Sequence, residues 1–282
     1  MFGEARLGNV RDIDQVTRVV ENITDSVARR PMAMIGLGRL KSADDYAFMH
    51  SFAVSALMVA LSQTLGFDEK QIRNAGLAGL SHDVGKAQIP LETLNKPGPL
   101  DAKEWETMRS HLEGGHRILH DPPGVTATTL DAVLKHHEKV GGSGYSHDLY
   151  EDQIAELAKM CAVGDVYDPI TSNRPHKSRW QPTVAIRNMT QWTDGHFEGS
   201  IFKAFVKTVG IYPVGSLVRF EPNRLAAAVE HDPKGTLSTH RKGLLLIALQ
   251  HIHPRKLINL AKKDSGDCII GFEGRKRMTS RA

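Results

Sequence analysis

The 282 residues are 40% hydrophobic and 24% charged, enough for one well-buried core and a small accessory lobe. Lys plus Arg number 36 against 32 Asp plus Glu, a net charge of +4 not gathered into basic blocks, which excludes bulk binding to DNA. Two cysteines, Cys161 and Cys268, exclude a disulfide framework and a cysteine-built metal site.

In chain order, the first residues, MFGEARLGNVRDID, lack the charged-then-apolar pattern of a secretory signal, and no run of about 18 uninterrupted apolar residues follows. No membrane span and a cytoplasmic location are therefore expected. Ile13, Val16, Val19, Val20, Ile23 and Val27 recur at helical spacing. They predict an amphipathic helix, within an N-terminal segment 1–40, that docks on the main bundle or on a partner, either a second copy or a signalling protein. A long helix should start at Asp44 or Asp45, carry His50 and stop at Gly66. The next spans 68–82, with Gly85 as a left-handed cap.

Asp101 with Glu104 makes a capping-box-like start to a helix over 101–119. Further helices are expected over 125–139, 152–166, 182–192 and 200–209. Residues 41–210 thus read as a helical bundle, and the chain as mainly α. Beyond Gly210 the segments SLVRFE and RLAAAVEHD read as strands separated by the turn-like EPNR and DPKG. GLLLIALQHIH fits either a strand or a buried helix, and DCIIGFEG reads as a strand, making 211–282 a small β-rich region.

The chemistry is concentrated in the 14 histidines. His50, His82 with Asp83, His111, His136 with His137, and Asp165 each lie on or at the end of a predicted helix. Imidazole and carboxylate together suit borderline divalent metals. Neighbouring residues on a helix point about 100° apart, so a His-Asp or His-His doublet spreads two ligands. An Asp beside a His offers two oxygens that can bridge two ions roughly 3.5–4 Å apart, which would activate a water and clamp a phosphodiester.

The segments HDVGKAQIP, LNKPGPLDAKEWETMRSH, HHEKVGGSGY and VGDVYDPITSNRP resemble, in order and spacing, the successive motifs of the HD-GYP family over roughly residues 42–212. The resemblance implies an HD-type helical bundle and a phosphodiesterase that cleaves cyclic di-GMP to pGpG, and onward to GMP, through a hydroxide bridging two metals. The implied ligands are His50, His82, Asp83, His111, His136, His137 and Asp165, with Asp83 as the bridge. Iron or manganese are the implied ions, nickel and zinc the alternatives. Lys86 matches the family lysine at the scissile phosphate, and Arg174 and Lys177 match positions that contact the dinucleotide. Tyr145 reads either as a stacking or hydroxyl contact to the substrate or as a packing anchor. Asp168 and Thr171 read as loop-ordering groups.

Two departures from the family pattern bear on function. Where members with a third metal carry a carboxylate, four residues before His50, this chain has Tyr46, so two metals are expected. The signature loop, typically HHE-R-x-D-G-x-G-Y-P, here reads HHEKVGGSGYS. Ser146 in place of proline should free the backbone of the loop. The alternatives to cyclic di-GMP hydrolysis are a weak or inactive module that binds a cyclic dinucleotide or docks a protein, and a phosphodiesterase for another cyclic dinucleotide.

Overall fold

The computed structural model describes residues 13–38, 46–172 and 179–210, with the backbone of three strands between 217 and 248. Helix α1 (Ile13–Arg29) buries Ile13, Val16, Val20, Ile23 and Val27. Each such side chain stabilises by about 1.5–3 kcal/mol when withdrawn from water. Their neighbours are core residues of the bundle, so this stripe is used internally and is not open to a partner. Helix α2 (Pro31–Gly38) follows, then α3 (Tyr46–Leu65), which packs against α1, α2 and three later helices.

Because α3 is surrounded, it is apolar nearly all round. By length and composition it would pass for a membrane span, yet two thirds of it is buried inside the bundle, and its His50 faces a polar cluster. It is the core helix. Helix α4 (Glu69–Ser81) starts at the reciprocal Asp68–Gln71 capping box, and Ser55 Oγ on α3 donates to the Gly76 carbonyl on α4 at 2.8 Å.

A 3-10 turn (Val84–Gln88) and short α5 (Leu91–Leu94) lead to α6 (Ala102–Arg109), which begins at the expected Asp101–Glu104 box. The single helix expected over 101–119 is broken at Ser110 into α6 and α7 (His111–His120). Helix α8 (Ala127–Lys135) ends before the His136–His137 doublet. Helix α9 (Glu156–Thr171) runs past Pro169, beyond the predicted end at 166, because proline in the last turn interrupts only one backbone bond. Helices α10 (Pro182–Gln191) and α11 (Gly199–Val209) complete the bundle.

Gly85 does not cap α4 in a left-handed conformation. It lies in the 3-10 turn, where an added Cβ would overlap the His111 carbonyl oxygen and come within 2.5 Å of Gly115 N. Close approach of two backbones, and not positive φ, requires glycine here.

Strands β1 (Leu217–Phe220), β2 (Arg224–His231) and β3 (Leu244–Ala248) form an antiparallel meander, with Leu217 opposite Ala227, Ala226 opposite Ala248 and an irregularity between Ala228 and Glu230. The ambiguous GLLLIALQHIH segment is thus a strand at its start, whereas DCIIGFEG lies outside the described residues.

Candidate metal centre

Helix ends bring the histidines together. His82 and His136 occupy the C-caps of α4 and α8, and His111 follows the end of α6. The last carbonyls of a helix lack amide partners further along the chain, and each of these imidazoles supplies one. Nδ1 of His82 donates to Gly79 O at 2.8 Å, His111 to Met108 O at 2.7 Å and His136 to Val133 O at 2.9 Å. A carbonyl only accepts, so Nδ1 carries a proton and Nε2 is the nitrogen that faces inward.

Those inward-facing nitrogens converge on Asp83. Its Oδ1 lies 3.5 Å from His111 Nε2 and 3.9 Å from His136 Nε2, while its Oδ2 lies 3.4 Å from His82 Nε2 and 3.6 Å from His50 Nε2. Asp165 spans the same divide: Oδ1 is 3.0 Å from His50 Nε2 and Oδ2 is 3.8 Å from His137 Nδ1. Two four-residue groups result, Asp83 with His111, His136 and His137, and Asp83 with His50, His82 and Asp165, the donor atoms of each lying within 4.8 Å of one another. Asp83 Oδ1, His111 Nε2 and His136 Nε2 are buried with no hydrogen-bond partner among the described residues. Buried acceptors left so are costly, on the order of 1–3 kcal/mol each, and a cation placed between them would satisfy all three.

The electrostatics favour bound cations. Burial works against the charged form of Asp83, but Lys86, His82 and His111 outweigh it and hold the carboxyl well below its usual range. Burial likewise opposes ionisation of Asp165, and hydrogen bonds from His50 and His82 overcome it. Burial lowers His111, His136 and, down to about 4, His137, leaving them neutral and able to ligate. On His82 burial is outweighed by Asp83 and Asp165, which lift it to about 10, a measure of how strongly the two carboxylates draw positive charge.

Lys86 Nζ donates to Asp83 Oδ2 at 2.6 Å. Burial disfavours its ammonium, but Asp83 and Asp165 raise its pKa, so it remains a fixed cation at the edge of the cluster. Tyr145 stacks on His137 with ring centroids 4.8 Å apart, and the Arg109 guanidinium sits over the Tyr145 ring, 4.8 Å from its centroid. Both readings of Tyr145 stay compatible with this placement, since it packs on one cluster residue while remaining part-exposed. Arg174 and Lys177 lie outside the described residues. The expected substitute at the third-metal position, Tyr46, stacks on His50 at 6.2 Å.

The signature loop is held more firmly than Ser146 suggested. Buried Glu138 accepts from His147 N at 2.7 Å and Leu149 N at 3.1 Å, Tyr145 N donates to His137 O at 3.3 Å, and Gly141 N donates to Gly195 O at 2.9 Å. The Tyr145–Ser146 peptide is cis. At Gly144 a Cβ would come within 2.5 Å of Glu138 Cα, so glycine permits the loop to fold back on its own start. Hydrogen bonds replace the constraint that proline would have supplied.

Asp168 is corrected from a loop-ordering group. It lies on α9 three residues after Asp165, is 2% exposed, and its Oδ2 is 2.7 Å from His50 Nδ1. Its i, i+3 spacing from Asp165 was the available signal. Arg109, also not singled out from sequence, is legible only through the Tyr145 contact. Thr171 is likewise corrected from a loop-ordering group: it is the last residue of α9 and donates to Tyr167 O at 2.9 Å within that helix.

The profile of the HD domain family matches residues 21–201. The chain is 44% identical over 273 residues to the Pseudomonas aeruginosa protein named cyclic di-GMP phosphodiesterase PA4108, covering 97% of this chain and 66% of that protein. It is 32% identical over 199 residues to the cyclic di-GMP phosphodiesterase response regulator RpfG of Xanthomonas campestris pv. campestris, covering 64% and 52%. It is 31% identical over 159 residues to the 3'3'-cGAMP-specific phosphodiesterase 2 of Vibrio cholerae, covering 56% and 30%. The chain therefore spans 66% or less of the length of these relatives. In fold it is similar to Bd1817, a HDG"Y"P protein from Bdellovibrio bacteriovorus, with a TM-score of 0.59 at 19% identity over 72% of this chain and 66% of that one.

Proposed function

The chain belongs to the HD domain family, and from that premise we propose that it is a metal-dependent phosphodiesterase that hydrolyses cyclic di-GMP to linear pGpG and then GMP. The observation that carries the reading is Asp83, whose two oxygens face two different histidine groups as a bridging ligand must. Two divalent ions fit, held by His50, His82, Asp83 and Asp165 on one side and by Asp83, His111, His136 and His137 on the other. Iron or manganese suit this donor set, with nickel or zinc as alternatives. Ions held there supply Lewis acidity toward the phosphodiester and an activated water.

The chain's own groups do the rest. The backbone-anchored imidazoles keep their tautomers and directions without reorganising. Lys86, charged and braced by Asp83, sits on a non-bridging phosphate oxygen and stabilises the negative charge that develops there. Tyr145 borders the cluster on His137 and is assigned a contact to the dinucleotide, and Arg174 and Lys177, on their resemblance to family positions alone, are assigned to its phosphates, guanidinium pairing with phosphate. Names of relatives at 44% and 32% identity point to cyclic di-GMP, and the 3'3'-cGAMP name of another sets the competitor to assay beside it.

The test is turnover by the full chain, purified without oxygen, assayed for metal content, and incubated with cyclic di-GMP and with 3'3'-cGAMP. Cyclic di-GMP should be linearised faster, and chelation with EDTA should stop it. Absence of product from protein carrying two ions would replace the enzyme by a cyclic-dinucleotide-binding module. In the same assay, Lys86→Met should lower kcat by about 10²- to 10³-fold, the usual consequence of removing one charge-stabilising donor. Elemental analysis should find both ions retained; loss of either would mean that Lys86 supports the metal site and not the phosphate.

A further inference from the structure

His50 is braced differently from the other imidazoles. His82, His111 and His136 lean on neutral backbone carbonyls, whereas His50 Nδ1 meets the carboxylate of Asp168 at 2.7 Å. The second oxygen of Asp168 accepts from Ser172 Oγ at 3.1 Å, so the carboxylate is fixed on both sides. A carboxylate is seldom buried at 2% exposure without such partners. On an imidazole that ligates a metal, a carboxylate behind the far nitrogen fixes the ring and increases the basicity of the ligating one.

The two proposed positions are therefore unequal. The ion beside His50 would meet two carboxylates, Asp83 and Asp165, with a third behind its histidine. The ion beside His111 would meet Asp83 and three imidazoles. We infer that Asp168 is a positioning residue that selectively strengthens the metal position built on His50, so that this position fills first and the His111 position holds the more exchangeable ion. The inference rests on the two-metal reading given above.

The experiment is titration of the metal-free full chain with Mn²⁺, followed by calorimetry and by electron paramagnetic resonance after desalting. Wild type should show one tight and one weaker site, and at two equivalents the signal of an exchange-coupled pair. Asp168→Ala should weaken the tighter site by about 10- to 100-fold and leave the other within about threefold. At the same loading its signal should be the six-line pattern of an isolated ion. Asp168→Asn, which keeps volume and an acceptor but not the charge, should fall between the two and provides a folded comparison if the alanine variant is unstable; thermal melts of the metal-free proteins check this. Equal weakening of both sites, or two unchanged affinities with the coupled signal intact, would overturn the role of Asp168. A wild type that never forms a coupled pair would instead remove the two-metal reading itself.

Discussion

Asp83→Asn is expected to abolish the paired metal site and lower phosphodiester turnover by about 10⁴-fold or more. Asparagine keeps the shape of the side chain but replaces one oxygen by an amide nitrogen that does not ligate, and it removes the charge. Because Oδ1 serves the His111 and His136 side and Oδ2 the His50 and His82 side, neither orientation of the amide restores both. Lowering the pKa of water from about 15.7 to about 7 is worth roughly 10⁸-fold or more in hydroxide at neutral pH, so forfeiting much of that effect accounts for the expected loss. Metal analysis should find fewer than two ions per chain, with the variant shown to be folded by its circular dichroism. Full turnover in the variant would remove Asp83 from the centre of the chemistry.

Gly85→Ala should damage fold and site together, although it introduces only one methyl. That methyl would overlap the carbonyl of His111 and press on Gly115 N, and both obstacles are backbone, which cannot rotate away as a side chain could. Helix α7 must shift, and it carries His111 at its first position. Overpacking of this kind costs about 1–3 kcal/mol; at the upper end this lowers Tm by about 6–12 °C for a domain of this size. The displacement also moves a proposed ligand relative to Asp83, and metal sites tolerate roughly 0.5 Å, so weaker Mn²⁺ binding should accompany the fall in Tm. Gly199→Ala, where nothing lies within 4 Å of the added methyl, is the control and should leave both unchanged. Differential scanning calorimetry with and without Mn²⁺ reads both effects; a Gly85→Ala protein with unchanged Tm and metal affinity would contradict the close-packing account.

Much of the molecule was legible along the chain. The Asp101 cap, the apolar stripe of α1 and the strands at 217 and 224 all follow from local chemistry that acts over a few residues. The break at Ser110 was not, because MRSH contains neither proline nor glycine; the turn is held by Ser110 Oγ on Thr107 O and by His111 Nδ1 on Met108 O. Nor was the firmness of the signature loop, which depends on Gly195, 54 residues from Gly141.

By itself, then, the sequence determined which residue types are present in metal-binding order and where the helices that carry them begin, since doublets such as His82–Asp83 and His136–His137 and their apolar flanks are properties of adjacent residues. Only the tertiary structure decided which nitrogen of each imidazole faces inward, that the oxygens of Asp83 divide between two groups, and that Asp168 stands behind His50 from 118 residues away. The reason is one of range: helix periodicity and capping are set within a few positions of the chain, whereas ligand direction is set by hydrogen bonds and packing between helix ends that folding alone brings into contact.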